Sequence, residues 1–490
     1  MKYPDAPTTK QKNAFNLERG KFKTDSIAYD ADFGTILVPQ NRTGTDSKLI
    51  ELPFVRIISK SSKKKDPVFA LTGGPGMSNL NWKPKDSILN DRDFVMVGYR
   101  GVDGPILLDC PEVSKATSTN KDVLGKETLQ EIGKAWNACI DRFQKEGIDL
   151  NGYTMPEVVE DFEAVRNALG YDKINLLSES YGTRVAYIYG IKHPERINKS
   201  VMIGVNPPGR FVWESDETDY LIRYYSKLWQ DDPEMKIKSP DLEKTIRNVL
   251  QNMPEKWLFF SISQSKVKLV SFAMLFHRKT AAMVFDAFIS AEKGDPSGLA
   301  LMSFAFNFVV PSMFTWGDLA TKAVSADYNP VRNYFEMDKP DSILGSPLSK
   351  LLWAPLQFSK LNLKQIPEEF RNPMSSNVET LLLSGSVDFS TPERFALNEM
   401  LPKLPKGKQI VLKDLGHVYD VWSIKPEAIE KIINSYYETG VPDTSLWSDE
   451  KMNFETSFGF PRIAKIALAT TTVIAIGILA GVGKILMLLI

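Results

Sequence analysis

Six short apolar runs punctuate the chain, each closing on a glycine-rich or charged turn. They are Val68-Phe69-Ala70-Leu71, Phe94-Val95-Met96-Val97, Ile174-Asn175-Leu176-Leu177, Val201-Met202-Ile203, Thr380-Leu381-Leu382-Leu383 and Gln409-Ile410-Val411-Leu412. Continuous runs this short fit strands covered on both faces, as in a parallel sheet. Ahead of them, from Tyr29 to Ile58, apolar and polar residues alternate between glycine and proline breaks, as in Gly34-Thr35-Ile36-Leu37-Val38-Pro39, which predicts early antiparallel strands. Between the runs the period becomes helical. Thr154 with Glu157 three residues later forms a capping-box pattern, Val158, Phe162, Val165 and Leu169 an apolar stripe, and Gly170 a stop. A second helix is expected directly after Ser180, ending near His193-Pro194. Such alternation predicts a doubly wound α/β fold with a mostly parallel central sheet.

From about Pro207 to Pro373 the strand rhythm gives way to aromatic residues and methionine at helical spacing, among them Phe285, Phe288, Phe304, Phe308, Phe314 and Trp316. They predict an inserted helical cap, most of these side chains forming its core and some standing above the site. The sheet rhythm resumes near Val378 and ends near Tyr437. The expected division is a core in two parts, 1–206 and 374–445, a cap at 207–373, a linker at 446–462 and a terminal segment at 463–490. Within that segment Ile466 to Gly483 carries no charge. At 1.5 Å per residue it spans roughly 27 Å, close to the thickness of a bilayer's hydrocarbon core, and is expected to be a single-pass C-terminal membrane anchor. Gly477 and Gly481 form a GxxxG pair within it. Arg462 and Lys465 flank its start, and Met1 to Ala6 lacks the apolar core of a signal peptide, so the catalytic domain is expected to face the cytosol.

Lysine plus arginine equals aspartate plus glutamate, 60 against 60, so no net field favours nucleic acid as a partner. Lys63-Lys64-Lys65 is expected in a solvated loop before a strand. Two cysteines, Cys110 and Cys139, exclude a disulfide scaffold and a cysteine-rich metal site; by themselves they either pair or sit as two small buried apolar residues. HExxH, paired-histidine and GxxxxGK[ST] patterns are all absent, and neither a metal nor a cofactor is expected. Three histidines, His193, His277 and His417, make the search for a general base short.

The segment Leu176-Leu177-Ser178-Glu179-Ser180-Tyr181-Gly182 combines a strand end, a turn of small residues and a helix start. Those are the parts of a nucleophile elbow with Ser180 at its apex, although Ser178 replaces the usual first glycine. Ser178 lies at the strand end, pointing away from the apex. Leu71-Thr72-Gly73-Gly74-Pro75-Gly76 follows an early strand, and its glycines allow a backbone N–H to turn toward the oxyanion of acyl transfer. The oxyanion hole is assigned to the N–H groups of Gly74 and Tyr181. Asp388 and His417 each follow a late strand, giving the chain order Ser…Asp…His. His417 is expected to take the Ser180 proton, with Asp388 fixing its tautomer; Asp414 and Asp420 are nearby alternatives for the acid. His193 is expected to cap the helix after the elbow and His277 to be structural.

The Gly-Gly-Pro-Gly loop, Gly98-Tyr99-Arg100-Gly101, Ser-Tyr-Gly at the elbow and the stretch from Gly385 to Pro392 together resemble the proline iminopeptidase and tripeptidyl-aminopeptidase-like branch of the α/β-hydrolases. The resemblance covers roughly Gly34–Arg210 and Val378–Tyr437. It implies the α/β-hydrolase fold and a serine peptidase activity, and places Cys110 and Cys139 where exported members often carry a disulfide. Ser178 for glycine, and Thr72 for the histidine that precedes Gly-Gly-Pro-Gly, depart from its pattern; the second weakens a proline-specific assignment.

Two substrate classes compete. An aminopeptidase acting on short peptides needs an acid to hold the substrate ammonium; Glu214, Asp216 and Glu217, at the cap entrance, are the candidates. A carboxylesterase or lipase acting on lipophilic esters suits the aromatic cap and the membrane anchor. Epoxide hydrolase or dehalogenase chemistry would require a carboxylate at the elbow.

Overall fold

The computed structural model, which describes residues 2–44 and 47–470, gathers all six apolar runs into one nine-stranded sheet. Strands β1 (Phe15–Lys23), β2 (Ala28–Pro39) and β3 (Leu49–Ile57) open the chain. They are followed by β4 (Lys65–Leu71), β5 (Arg92–Val97), β6 (Ile174–Glu179) and β7 (Ile197–Ile203). The short pair β8 (Lys256–Trp257) and β9 (Phe260–Ser261) forms a hairpin in the cap, and β10 (Glu379–Gly385) and β11 (Gly407–Leu412) complete the main sheet. Its order is β1-β2-β3-β5-β4-β6-β7-β10-β11, antiparallel as far as the β3–β5 pair and parallel from there on. Every residue of β5 is buried, as the unbroken apolar runs require of strands covered on both faces.

β1 has no signal in the apolar pattern. Its charged residues bind across to β2, Arg19 to Asp32 at 2.6 Å and Lys21 to Asp30 at 2.8 Å. A charged edge of this kind also discourages pairing with another chain. The lysine run is exposed just ahead of and at the start of β4, and it is paired: Lys64 reaches Asp93 at 2.9 Å, and Lys65 reaches both Asp91 and Glu438 at 2.7 Å.

The helix after Thr154 spans Met155–Ala168, but the capping box is not made, since Thr154 forms no side-chain cap bond. Glu157 turns inward, accepting from the Arg42 backbone at 3.0 Å and from the guanidinium groups of Arg42 and Arg100 at 2.6 and 3.1 Å. Asp161 accepts from Arg100 Nε and Nη2 at 2.6 Å and from Arg42 at 2.7 Å. Arg100 is fully buried, which is tolerable only because every charge around it is hydrogen-bonded. The network pins the turn after β5 against this helix. Cys110 and Cys139 form a disulfide that ties helix Pro111–Thr119 to helix Lys126–Lys145.

The cap lies between β7 and β10 and has a core of its own, in which Tyr225, Trp229 and Phe285 pack together. Residues 446–462, expected as a linker, pack on that core. Phe454 sits 5.0 Å from Trp229 and 6.1 Å from Phe285, and Met452 and Phe460 are buried beside it. Residues 460–470 are helical. The expected anchor lies for the most part outside the described residues, as does its glycine pair, and among the described residues no single helix is long and apolar enough to cross a membrane.

Candidate active site

Ser180 joins β6 to the helix Tyr181–Lys192 with φ 49° and ψ −120°, a strained conformation for a residue with a side chain. The strain is held by the surrounding sheet: the Ser180 N–H donates to Ile203 O at 2.9 Å. Such a turn lifts the hydroxyl clear of the strand end. Ser178 is fully buried, and its hydroxyl donates to Val201 O on β7 at 3.1 Å. Its polar atom is satisfied inside the sheet, so serine is accommodated where the elbow pattern has glycine.

His417 Nε2 lies 2.9 Å from Ser180 Oγ, and His417 Nδ1 lies 2.8 Å from Asp388 Oδ2. With Nδ1–H donating to the carboxylate, Nε2 is left to accept the serine proton. Asp388 is buried yet well solvated by protein: its Oδ1 accepts from Ser390 N and Thr391 N, and its Oδ2 from Thr391 Oγ1, all at 2.8 Å. Thr391 thus orients the acid, a role its position within Gly385 to Pro392 had not disclosed. The alternative acids serve elsewhere. Asp414 accepts from Met452 N at 3.2 Å, and Asp420 accepts from Gly416 N and Arg278 N at 2.9 Å, steadying the backbone beside His417. His193 closes the elbow helix, its Nε2 3.1 Å from Glu160. His277 borders the same cavity as His417, and burial pushes its pKa down.

Gly74 (φ 69°) and Tyr181, expected to form the oxyanion hole, both border the cavity beside Ser180. The Tyr181 N–H is the first of its helix and has no intrahelical acceptor. Gly73 backs directly onto the nucleophile: a Cβ there would stand 2.8 Å from Ser180 Cβ. The loop is braced from β5, since Asn79 Oδ1 accepts from Thr72 N at 2.7 Å and its amide donates to Ala70 O and Val97 O. Asp103 in turn accepts from Asn79 N at 3.0 Å and Tyr99 N at 2.8 Å, and the Tyr99 hydroxyl donates to Thr72 O at 3.1 Å. The Gly98-Tyr99-Arg100-Gly101 motif therefore supports the loop that follows β4.

Ser180 opens into a cavity of about 540 Å³ whose walls include Trp136, Phe211, Trp213, Phe276, Phe314 and Trp353. Among its described lining residues the one carboxylate is Glu179, and none is lysine or arginine. Burial pushes the Glu179 pKa up to about 7, only partly offset by the Trp422 indole N–H, which donates to it, and by attraction to His417 and Lys85. Glu179 was visible in the elbow motif but carried no role in the sequence. The three acids proposed to hold an ammonium lie outside this lining, each paired with a base. Glu214 grips Arg332 through two 2.7 Å bonds, Asp216 meets Lys339 at 2.6 Å, and Glu217 binds Arg394.

The sequence pattern of the alpha/beta hydrolase fold family matches residues 66–419. Among curated proteins, the chain is 30% identical over 196 residues to the YuaR protein of Escherichia coli (strain K12), 38% of either chain. It is 26% identical over 218 residues to the tripeptidyl aminopeptidase of Streptomyces lividans, 40% of either chain. It is 34% identical over 195 residues to the serine protease Hip1 of Mycobacterium tuberculosis (strain ATCC 25618 / H37Rv), 36% of either chain. The chain thus matches about two fifths of the length of these relatives or less.

Proposed function

The chain belongs to the alpha/beta hydrolase fold family, and we propose that within it the protein is a serine hydrolase that removes short N-terminal pieces from peptides through an acyl-enzyme on Ser180. The observation that carries this reading is the unbroken relay Ser180–His417–Asp388 at the wall of a cavity roofed by the cap. A roofed cavity of this size takes a chain end or a small molecule in preference to the middle of a folded polypeptide. His417 removes the Ser180 proton as Oγ attacks the scissile carbonyl, the N–H groups of Gly74 and Tyr181 take the developing oxyanion, and the imidazolium returns the proton to the leaving amine. Water then repeats the cycle on the acyl-enzyme. The peptidase-named relatives support a peptide substrate, and Glu179 supplies a carboxylate within the cavity for its ammonium.

A second reading, hydrolysis of lipophilic esters, is favoured by the aromatic walls. Fluorophosphonate labelling of Ser180, followed by rates on tripeptidyl and aminoacyl arylamides beside p-nitrophenyl esters of increasing chain length, separates the two. Arylamide turnover that requires a free N-terminal amine supports the peptidase; turnover confined to long-chain esters overturns it.

The uncharged stretch Ile466–Gly483 supports attachment to a membrane, and release by carbonate extraction would refute it. The buried disulfide favours an oxidising compartment, opposite to the side the flanking charges suggest. We place the catalytic domain on the oxidising side. Digestion by protease added to sealed inverted vesicles would overturn that placement.

A further inference from the structure

The cap helix Trp316–Asp327 holds a buried ion pair outside the proton relay. Asp318 and Lys322, one turn apart, are bonded to each other, and both side chains are fully buried. Burying such a pair costs desolvation that mutual attraction only partly offsets, so its value to the fold lies in what it positions. Asp318 Oδ2 accepts from Gly76 N at 2.9 Å, and Thr315, just before the same helix, donates its N–H to Gly76 O at 3.0 Å. Both faces of the Gly76 residue are therefore tied to the cap. Lys322 Nζ donates to Arg100 O at 3.2 Å, in the motif that braces the other side of the oxyanion loop.

Gly76 stands two residues after Gly74, with Pro75 stiffening the link between them. Resting on the Ser180 hydrolase reading, we infer that Asp318 is a positioning residue for the oxyanion hole: from the cap it fixes the Gly76 peptide, and through it the direction of the Gly74 N–H. Lys322 keeps the Asp318 carboxylate in place. A hole donor works only when it is aimed before the oxyanion forms, so a small rotation of this loop lowers the rate without abolishing binding. The oxyanion hole is thus completed by the cap, although both of its donors belong to the core.

The test uses the full chain and two double variants in which neither member leaves an unpaired buried charge. Asp318→Asn with Lys322→Met keeps an acceptor for the Gly76 N–H, and Asp318→Ala with Lys322→Met removes it. The readout is fluorophosphonate labelling of Ser180, resolved into a maximal rate and a half-saturating concentration, beside thermal unfolding of both proteins. The alanine pair is expected to label about 10-fold to 100-fold more slowly than the asparagine pair at saturation, with half-saturation within about threefold. Recovery by asparagine separates positioning from a general loss of stability. Equal maximal rates in two folded variants, or a loss confined to half-saturation, would overturn the inference. Should the alanine pair not fold, Asp318→Leu with Lys322→Met fills the space without an acceptor and carries the same expectation. Failure of the unmodified protein to label at Ser180 overturns the hydrolase reading, and the inference with it; labelling with equal rates overturns the inference alone.

Discussion

Glu179 offers a measurable consequence of placing a carboxyl group beside the nucleophile. Its pKa is pushed up to about 7, first by burial, so the native protein binds a proton that the unfolded chain releases near the usual glutamate value. Between pH 4.5 and about 7 the native state therefore holds more protons than the unfolded state, and stability falls as pH rises. The contribution is fully present below the unfolded pKa and is gone above the folded one. A shift from 4.5 to about 7 corresponds to roughly 3 kcal/mol at 1.36 kcal/mol per unit. Because the side chain reaches the cavity, an effect of about 1–3 kcal/mol is expected. Glu179→Gln has the same shape and does not titrate. Subtracting its urea-unfolding free energy from that of the unmodified protein cancels the groups the two share. The asparagine homologue is not needed, since glutamine can still accept from the Trp422 indole. Measured from pH 4.5 to 8.5, the variant should gain on the parent by about 1–3 kcal/mol across this window and be level with pH above it. A difference that stays constant with pH would refute a raised Glu179 pKa.

Three other outcomes are expected. Ser180→Ala should abolish fluorophosphonate labelling with unfolding midpoint little changed, whereas Ser178→Ala should label normally and lose about 1 kcal/mol with its bond to Val201 O, measured by urea unfolding. Gly74→Ala forces φ 69° on a side-chain residue and brings its Cβ to 2.5 Å from Met77 Sδ, so kcat should fall by about 10²–10³ with KM nearly constant in steady-state assays. Replacing Cys110 and Cys139 by serine opens a loop of 29 residues' separation and should cost about 3–4 kcal/mol by chemical denaturation.

The parallel sheet was legible because strands buried on both faces leave unbroken apolar runs, and the relay because each of its members sits in a turn just after a strand. What stayed hidden depends on partners distant in the chain. Thr154 and Glu157 have the spacing of a local cap, yet Glu157 forgoes it to join Asp161 in binding Arg42 and Arg100, residues that approach from distant parts of the chain. Glu214, Asp216 and Glu217 have the right charge for an ammonium, but each meets a base more than a hundred residues away. Phe454 and Met452 follow no helical or strand period, since their burial comes from docking an irregular strap onto the cap. β1 is likewise defined by its pairing with β2 and not by an apolar face.

The cap reaches the turns that carry His417, Asp388 and Gly76 through hydrogen bonds that sequence spacing cannot register. The His417 N–H donates to Phe276 O in the cap at 2.6 Å. Asp420 gathers Gly416 N from the histidine turn and Arg278 N from the cap onto one oxygen. The Trp213 indole donates to Ser390 O, in the turn that presents Asp388, at 2.8 Å, and Gly76 is held by Thr315 and Asp318. The turns that carry His417, Asp388 and Gly76 thus each bond to a cap residue, whereas the Ser180 backbone bonds to core residues, its N–H to Ile203 O and its carbonyl to Thr183 N and Oγ1. A cap lifted as one rigid body would expose all of these groups at once, exchanging each bond for water. The same bonds explain why a cap so loosely specified in the sequence stands over a site specified so closely. Its seam with the core mixes backbone bonds, such as His417 N–H to Phe276 O, with bonds from the side chains of Trp213, Asp318 and Asp420, whose partners lie too far along the chain for sequence spacing to register.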